Sequence, residues 1–383
     1  MKQEEDLKIK FQVWDVILSG DKFMNLMITR SFPPSIGGMQ NLMWGLANEL
    51  AKIDILKVFA DFELNHNDFD KKVSFTIERV GGFKIFRKYR KAYLVNEYIK
   101  SHKNIKYIFS DHWKSLELIK TSKKKICLIH SKEINHDIDS KINKRVLSVL
   151  NNVHLVIANS EFTKNLAIEK GVKPELINVI NPGVNPVKDL DKNYLDKAED
   201  LMLNKSPRII TVSRFDKRKN HEKVIMAIRN LKQIYPNIIY VCIGYGEEEE
   251  KLKKLSKELM VQDQVLFLNN INQDLKNALV SKSNIFVMPS IINKKSVEGF
   301  GIAFVEAAQY GVPSIGGKDG GASDAIIHEK TGLICNGNSL DEIYSSISKL
   351  LENKSYIEFG KHAKENSIKF LWSNIIEKYK RIL

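Results

Sequence analysis

From Val287 to Ala325 the chain reads VMPSIINKKSVEGFGIAFVEAAQYGVPSIGGKDGGASDA. Val287 and Met288 close an apolar run short enough for a buried strand, and Pro289 ends it. Behind Glu298-Gly299-Phe300-Gly301, the residues Ile302, Val305 and Ala308-Gln309 recur at helical spacing. Gly311 stops that helix, and Pro313 forbids its continuation before Ser314-Ile315 opens another strand. The order is strand, acidic glycine turn, helix, strand, glycine turn. A helix that opens behind small residues turns unpaired N–H groups and a partial positive charge outward, a seat for phosphate.

Two carboxylates frame that seat: Glu298 at the helix mouth and Glu306 on the helix, with seven residues between them. A carboxylate accepts two hydroxyl hydrogen bonds, so the pair suits two vicinal diols, one on a sugar and one on a ribose, with phosphates between them. The same residues also suit plainer roles, a favourable charge at a helix N-terminus and a solvated surface position.

The stretch resembles the donor-binding signature of retaining family 4 glycosyltransferases, enzymes of the GT-B fold. VEGFGI, EA, GVPSIGG and GGA are most similar to the phosphatidylinositol mannosyltransferases and their bacterial relatives. The resemblance implies an α/β chain of two Rossmann-like domains whose parallel sheets face a central cleft. It implies that Glu298 and the backbone of Gly299, Phe300 and Gly301 hold the donor sugar, and that Glu306 holds the ribose. Ser323 and Asp324 stand where Pro-Glu is usual, a departure that touches donor-sugar selection rather than reaction class.

A chain of 383 residues suits two domains better than one core. Its 43% hydrophobic and 28% charged content is that of a globular protein. No apolar run approaches the roughly 20 residues of a membrane-spanning helix, and MKQEEDLKIK lacks a secretory pattern. Cys127, Cys242 and Cys335 are far apart and form no CxxC, which suits a reducing cytosol and argues against structural zinc. The net charge of +14 is concentrated: residues 81–145 hold 17 Lys/Arg against 6 Asp/Glu. Such a segment expects an anionic partner, whether phospholipid head groups, a diphosphate-linked acceptor or nucleic acid; a solvated lysine-rich surface is the plainer alternative.

Residues 1–20 are expected to be an N-terminal extension, either a short amphipathic helix or an upstream addition. A strand over Asn25–Thr29 leads through FPPSIGG to a helix carrying Met39, Leu42, Met43, Leu46, Ala47, Leu50 and Ala51. That loop resembles the family's donor-facing loop, in which Gly37 and Gly38 let backbone N–H groups approach a diphosphate. Asp68-Phe69-Asp70, Asp137-Ile138-Asp139 and Asp189-Leu190-Asp191 all have DxD form, and three copies at unremarkable places favour chance. In residues 81–103, Phe83, Phe86, Tyr89, Tyr93 and Leu94 interleave with Lys84, Arg87, Lys88, Arg90 and Lys91. This pattern fits an interfacial helix on an anionic membrane, or an amphipathic helix with its aromatics packed inward.

The strand Ile126–Ile129 runs into His130-Ser131-Lys132-Glu133, similar to the family's H-x-x-E turn, which implies His130 beside the donor sugar. A helix is expected over Phe162–Lys170, and Asn181-Pro182-Gly183-Val184 resembles the end of the family's first domain. Residues 186–206 show no clear period and are expected to be a linker. After the strand Arg208–Val212, Arg214 and Lys219, with four residues between them, match the family's pair that grips the donor diphosphate. Lys217 and Arg218 are expected to be bystanders, and Asn220 stands in for the usual glycine. Gly244-Tyr245-Gly246 only partly matches a dinucleotide fingerprint, since Glu249 takes the third glycine's place. The last segment, from Phe370 with Trp372, resembles the C-terminal helix that crosses back to the first domain.

The expectation is therefore an N-terminal acceptor domain over 21–188, a nucleotide-sugar domain over 206–365 and a returning helix over 366–383. The activity expected is metal-independent, retaining hexose transfer, with a lean toward mannose, from GDP-mannose or a UDP-sugar to a lipid-linked or glycan acceptor. No cofactor and no nucleic acid is expected, and the expected place is the cytoplasm, peripheral on the inner face of the cytoplasmic membrane. The rivals are an NAD-linked oxidoreductase and a basic nucleic-acid-binding protein.

Overall fold

A computed structural model describes residues 23–383, so the expectation for residues 1–20 lies outside the described residues. The strands are β1 Met24–Ile28, β2 Ile55–Asp61, β3 Thr76–Val80, β4 Ile105–Ser110, β5 Lys124–Ile129, β6 Leu155–Ala158 and β7 Ile177–Val179, then β8 Arg208–Val212, β9 Ile239–Ile243, β10 Val265–Leu268, β11 Ile285–Met288, β12 Ser314–Gly317 and β13 Gly332–Cys335. They form a seven-stranded sheet ordered β3-β2-β1-β4-β5-β6-β7 and a six-stranded sheet ordered β10-β9-β8-β11-β12-β13. The pairings are parallel, and helices separate most successive strands, as the βα pattern requires. This is the α/β GT-B architecture that the sequence led us to expect.

Why the strands read as continuous apolar runs is visible in β9. Ile239, Val241 and Ile243 face one core of the second sheet, while Tyr240 and Cys242 face the other. With helices on both faces, neither side of such a strand meets water. All three cysteines are buried.

Each sheet order reverses once, between β1 and β4 in the first and between β8 and β11 in the second. Open parallel sheets leave a crevice at such a point, beyond the carboxyl ends of the two strands. In the second sheet the loops issuing there are Ser213–Asn220 and Pro289–Gly301, which carry the expected diphosphate and sugar residues.

By internal contact the described residues form two compact units, one running up to Leu128 and including Val149–Val156, the other Ile129–Ser148 and Ile157–Leu383. His130 thus belongs to the second unit, and Gly37 and Gly38 belong to the first.

Two expectations change. The stretch read as a linker contains a helix, Lys192–Leu201, capped by the Asp191 carboxylate on the Asn193 N–H. Tyr194, Leu195, Ala198, Leu201 and Met202 lie on one face and pack into the second-sheet core, a helical stripe that the surrounding charges obscure. The second change is in the helix Lys84–Ser101, which buries Lys91, Ala92 and Val95. Phe83, Phe86, Tyr89 and Tyr93 are exposed together with Ile85, so the inward-packing alternative does not hold for those aromatics. Arg87 and Lys88 pair with Asp61 and Glu117, and Lys91 is buried on Asp61 and the Thr29 carbonyl. Among the described residues no helix is long and apolar enough to cross a membrane.

Candidate active site

The loop after β8 is a turn with a fixed geometry. Asp216 caps the 3-10 turn Lys217–Lys219, its carboxylate accepting the Lys219 N–H at 3.2 Å. Asn220 closes it with φ +62°, the left-handed conformation that a glycine usually supplies, and its amide donates to the Pro289 and Gly337 carbonyls. Three residues per turn point successive side chains in different directions. Lys217 faces solvent, whereas Arg218 and Lys219 are buried.

Both buried cations meet Glu298 from the loop after β11. Arg218 Nη1 lies 2.7 Å from Glu298 Oε2, Lys219 Nζ binds the same oxygen, and Ser290 Oγ stands 3.4 Å away. Burial alone would raise the Glu298 carboxyl, but Lys219 and Arg218 outweigh it and hold it at about 2. Burial lowers the Lys219 ammonium below its ordinary value even though Glu298 opposes this. The cluster has two cations and one anion, so it keeps an excess positive charge to offer a further anion.

The glycines around Glu298 serve close approach. The Gly321 N–H donates to the Glu298 carbonyl at 2.9 Å, and a side chain at Gly321 would strike the Gly299 carbonyl. Gly301 takes φ +88° as it opens the helix Ile302–Gln309. Phe300 is buried against Phe370, ring centroids 5.6 Å apart, so its side chain belongs to the core and its backbone alone remains for a ligand. Glu306 sits on the same helix, half-exposed, 3.3 Å from Lys276.

Asp324, the departure from the family pattern, has a local reason. Its carboxylate accepts the Glu161 N–H at 2.9 Å and the Asn181 amide at 3.2 Å, while burial raises its carboxyl. It thus ties the turn after β12 to the ends of β6 and β7.

His130 ends β5. Its backbone N–H donates to the Glu133 carboxylate, which explains the H-x-x-E spacing. Its ring is buried with no partner at Nε2, and burial pushes the imidazole down to about 4. The neighbouring Ser131 hydroxyl reaches the Val297 carbonyl, beside Glu298.

The second unit therefore brings together Lys219, Glu298, Gly299, Gly301 and the turn at His130. Arg214 is not in that cluster: its side chain is 64% exposed and lies 3.2 Å from Asp216. Gly37 and Gly38 open the helix Gly38–Ala51 in the first unit, with the Gln40 side chain folded over Gly37. Sequence reading missed Arg218, which a run of basic residues does not distinguish from Lys217. The available signal was the Asp216 cap, which fixes the phase of the turn.

The DxD copies have other work. Asp70 pairs with Arg79 and His66, Asp137 pairs with Lys295, and Asp191 caps a helix. Among the described residues no group of three His, Cys, Asp or Glu could hold a metal ion.

Known proteins add to this geometry. A family model described as "Glycosyl transferases group 1" matches residues 195–370, and one described as "Glycosyltransferase Family 4" matches residues 36–188. The GDP-mannose-dependent alpha-(1-6)-phosphatidylinositol monomannoside mannosyltransferase of Mycolicibacterium smegmatis is 24% identical, over 85% of this chain and 88% of its own. The N-acetyl-alpha-D-glucosaminyl L-malate synthase of Bacillus anthracis is 25% identical, over 62% of this chain and 67% of its own. Among solved structures, Anabaena HepE in complex with UDP-glucose has a TM-score of 0.78 at 18% identity, covering 94% of this chain and 98% of that one. An NAD-linked oxidoreductase finds no support in these matches.

Proposed function

The chain is a family 4 glycosyltransferase of the GT-B fold, and from that premise we propose that it moves a hexose, mannose in the first instance, from a nucleotide sugar with retention of configuration. The observation that carries the reading is Glu298, largely covered and held between Arg218 and Lys219 at the mouth of the helix Ile302–Gln309. Its Oε2 takes the cations, so Oε1 is the oxygen a sugar hydroxyl would reach. Lys219 and Arg214 would hold the diphosphate, with Arg214 swinging from Asp216, and Glu306 would hold the ribose. The Gly37-Gly38 turn would meet the diphosphate, and His130 would lie beside the sugar.

In this reading the bond from the anomeric carbon to the phosphate oxygen breaks as the acceptor hydroxyl bonds to the same face. A phosphate oxygen takes the acceptor's proton, and fixed cations stabilise the charge on the departing nucleoside diphosphate. No metal and no protein nucleophile enters this scheme. GDP-mannose is the leading donor, since the mannosyltransferase above uses it, and a UDP-sugar is the second candidate.

The acceptor in this reading is lipid-linked or a glycan in cell-envelope glycolipid or polysaccharide synthesis, met at the inner face of the cytoplasmic membrane. Support for the membrane comes from the helix Lys84–Ser101, whose outer face shows Phe83, Ile85, Phe86, Tyr89 and Tyr93 beside the exposed Lys84 and Arg90. Thermal-shift screening with GDP-mannose, UDP-glucose, NAD and an oligonucleotide tests the donor class. Stabilisation by one nucleotide sugar is expected; stabilisation by NAD or the oligonucleotide alone would overturn the reading.

A further inference from the structure

The backbone that carries Glu298 is held from outside its own loop by two serines. Ser131 Oγ donates to the Val297 carbonyl at 3.3 Å, and Ser160 Oγ donates to the Gly299 carbonyl at 2.5 Å, one on each side of Glu298. Both serines are buried, and they follow different strands, β5 and β6. The carbonyl between them, that of Glu298, accepts from Gly321. Three consecutive carbonyls are thus pinned in a loop that has no regular structure of its own.

Ser131 makes its bond from a strained backbone. Its φ is +97°, a region that residues with a Cβ rarely occupy and that glycine enters freely. A turn needing only that shape would be served by glycine; serine adds the hydroxyl. Ser160 also accepts the Thr163 N–H at 3.0 Å and caps the helix Glu161–Glu169. Thr163 Oγ1 lies 3.1 Å away, and the shorter contact, to Gly299, takes the serine proton.

We propose that Ser131 and Ser160 are positioning residues, whose hydroxyls fix the Val297–Gly299 main chain so that the Glu298 carboxylate meets the donor sugar in one orientation. This rests on the reading of Glu298 as a donor-sugar contact. The serines touch no ligand themselves. Their effect falls mainly on the rate at which a bound donor reacts, because Arg214 and Lys219 stand on another loop, whose backbone the Asp216 cap and the Asn220 amide hold independently.

The test uses the full chain and follows GDP release from GDP-mannose and UDP release from UDP-glucose. Calorimetric Kd values for GDP and UDP and the Tm are measured alongside. In Ser131→Gly, kcat on the donor turned over by the wild type should fall about tenfold or more, the scale of misplacement by a fraction of an ångström. The nucleotide Kd should stay within about twofold, since it reads the diphosphate contacts. The Tm should hold, because relief of the positive φ offsets the lost hydrogen bond. Ser131→Ala keeps the strain and should lose both rate and Tm. A wild-type rate in Ser131→Gly overturns the inference. A wild-type rate in Glu298→Gln overturns instead the reading beneath it. Should Ser131→Gly fail to fold, Ser160→Ala decides: its lost cap lowers Tm by a few degrees, and a wild-type rate there would equally overturn the inference.

Discussion

Arg218 and Glu298, eighty residues apart in sequence, are joined by a 2.7 Å contact between side chains only 9% and 12% exposed. Lys219 binds the same carboxylate oxygen. Glu298 is therefore neither a solvated residue nor a simple helix-end charge; its position is set by cations from the loop beyond β8.

This pairing separates four neighbouring cations by experiment. Lys219→Ala and Arg218→Ala should each lower kcat by roughly 10²–10³, the scale for one preorganised charge-stabilising donor. Both should also lose stability, by less than the roughly 3–5 kcal/mol of a fully broken buried pair, because Glu298 keeps the other cation. Arg214→Ala should lose activity at unchanged Tm, since that side chain is exposed. Lys217→Ala, facing solvent, should change activity only a few-fold. Equal losses from all four would reduce the cluster to a general positive field.

Stability should depend on pH through two buried histidines. Burial pushes His130 down to about 4 from an ordinary 6.5, and burial with the nearby Lys219 pushes His221 down to about 3. The folded protein thus resists protons that the unfolded chain accepts. The stability both groups contribute is complete above about pH 6.5 and is lost as pH falls through about 4 and 3. Glu298 acts at lower pH: with its carboxyl held at about 2, its contribution is full above about 4.5 and lost toward 2. Tm measured from pH 8 to 4 should fall below 6.5, and His221→Asn should flatten that fall. A Tm that rises on acidification would contradict the burial of neutral imidazoles.

Vesicle binding tests the helix Lys84–Ser101. Changing Phe83, Phe86 and Tyr89 together to Ser should leave Tm unchanged, because these side chains are exposed, and should weaken sedimentation with anionic vesicles about tenfold. Lys84→Gln with Arg90→Gln should weaken it further and reduce its salt dependence. Arg87, Lys88 and Lys91 are unsuitable for this purpose, since each is engaged with a carboxylate. Equal binding to neutral vesicles by all variants would remove the anionic surface from the account.

Much of this was legible in the residues, for identifiable reasons. Buried parallel strands such as Ile239–Ile243 and Ile285–Met288 announce themselves as apolar runs closed by Gly or Pro. The glycines at 299, 320 and 321 mark where backbone meets backbone. The pairing of Arg218 with Glu298 was not legible, because the Asp216 cap gives the phase of the turn but not the partner on a loop eighty residues away. Neither was the helix at Lys192–Leu201, whose apolar stripe is diluted by charge, nor the burial of Lys91 at the centre of a basic helix. The aromatics of that helix suit either its inner or its outer face by spacing alone, and only packing places them outward. Long-range hydroxyl contacts such as Ser131 to Val297, 166 residues apart, leave no periodicity in the sequence.

The central claim, transfer with retention through fixed cations and no metal, meets its most direct test in the anomeric proton of the product. The reaction is run with the donor identified by thermal shift, in excess EDTA, and the product is followed by NMR as it forms. The account predicts a product with the anomeric configuration of the donor, formed at the rate seen without EDTA. A product of opposite configuration, or none until manganese or magnesium is restored, would contradict it.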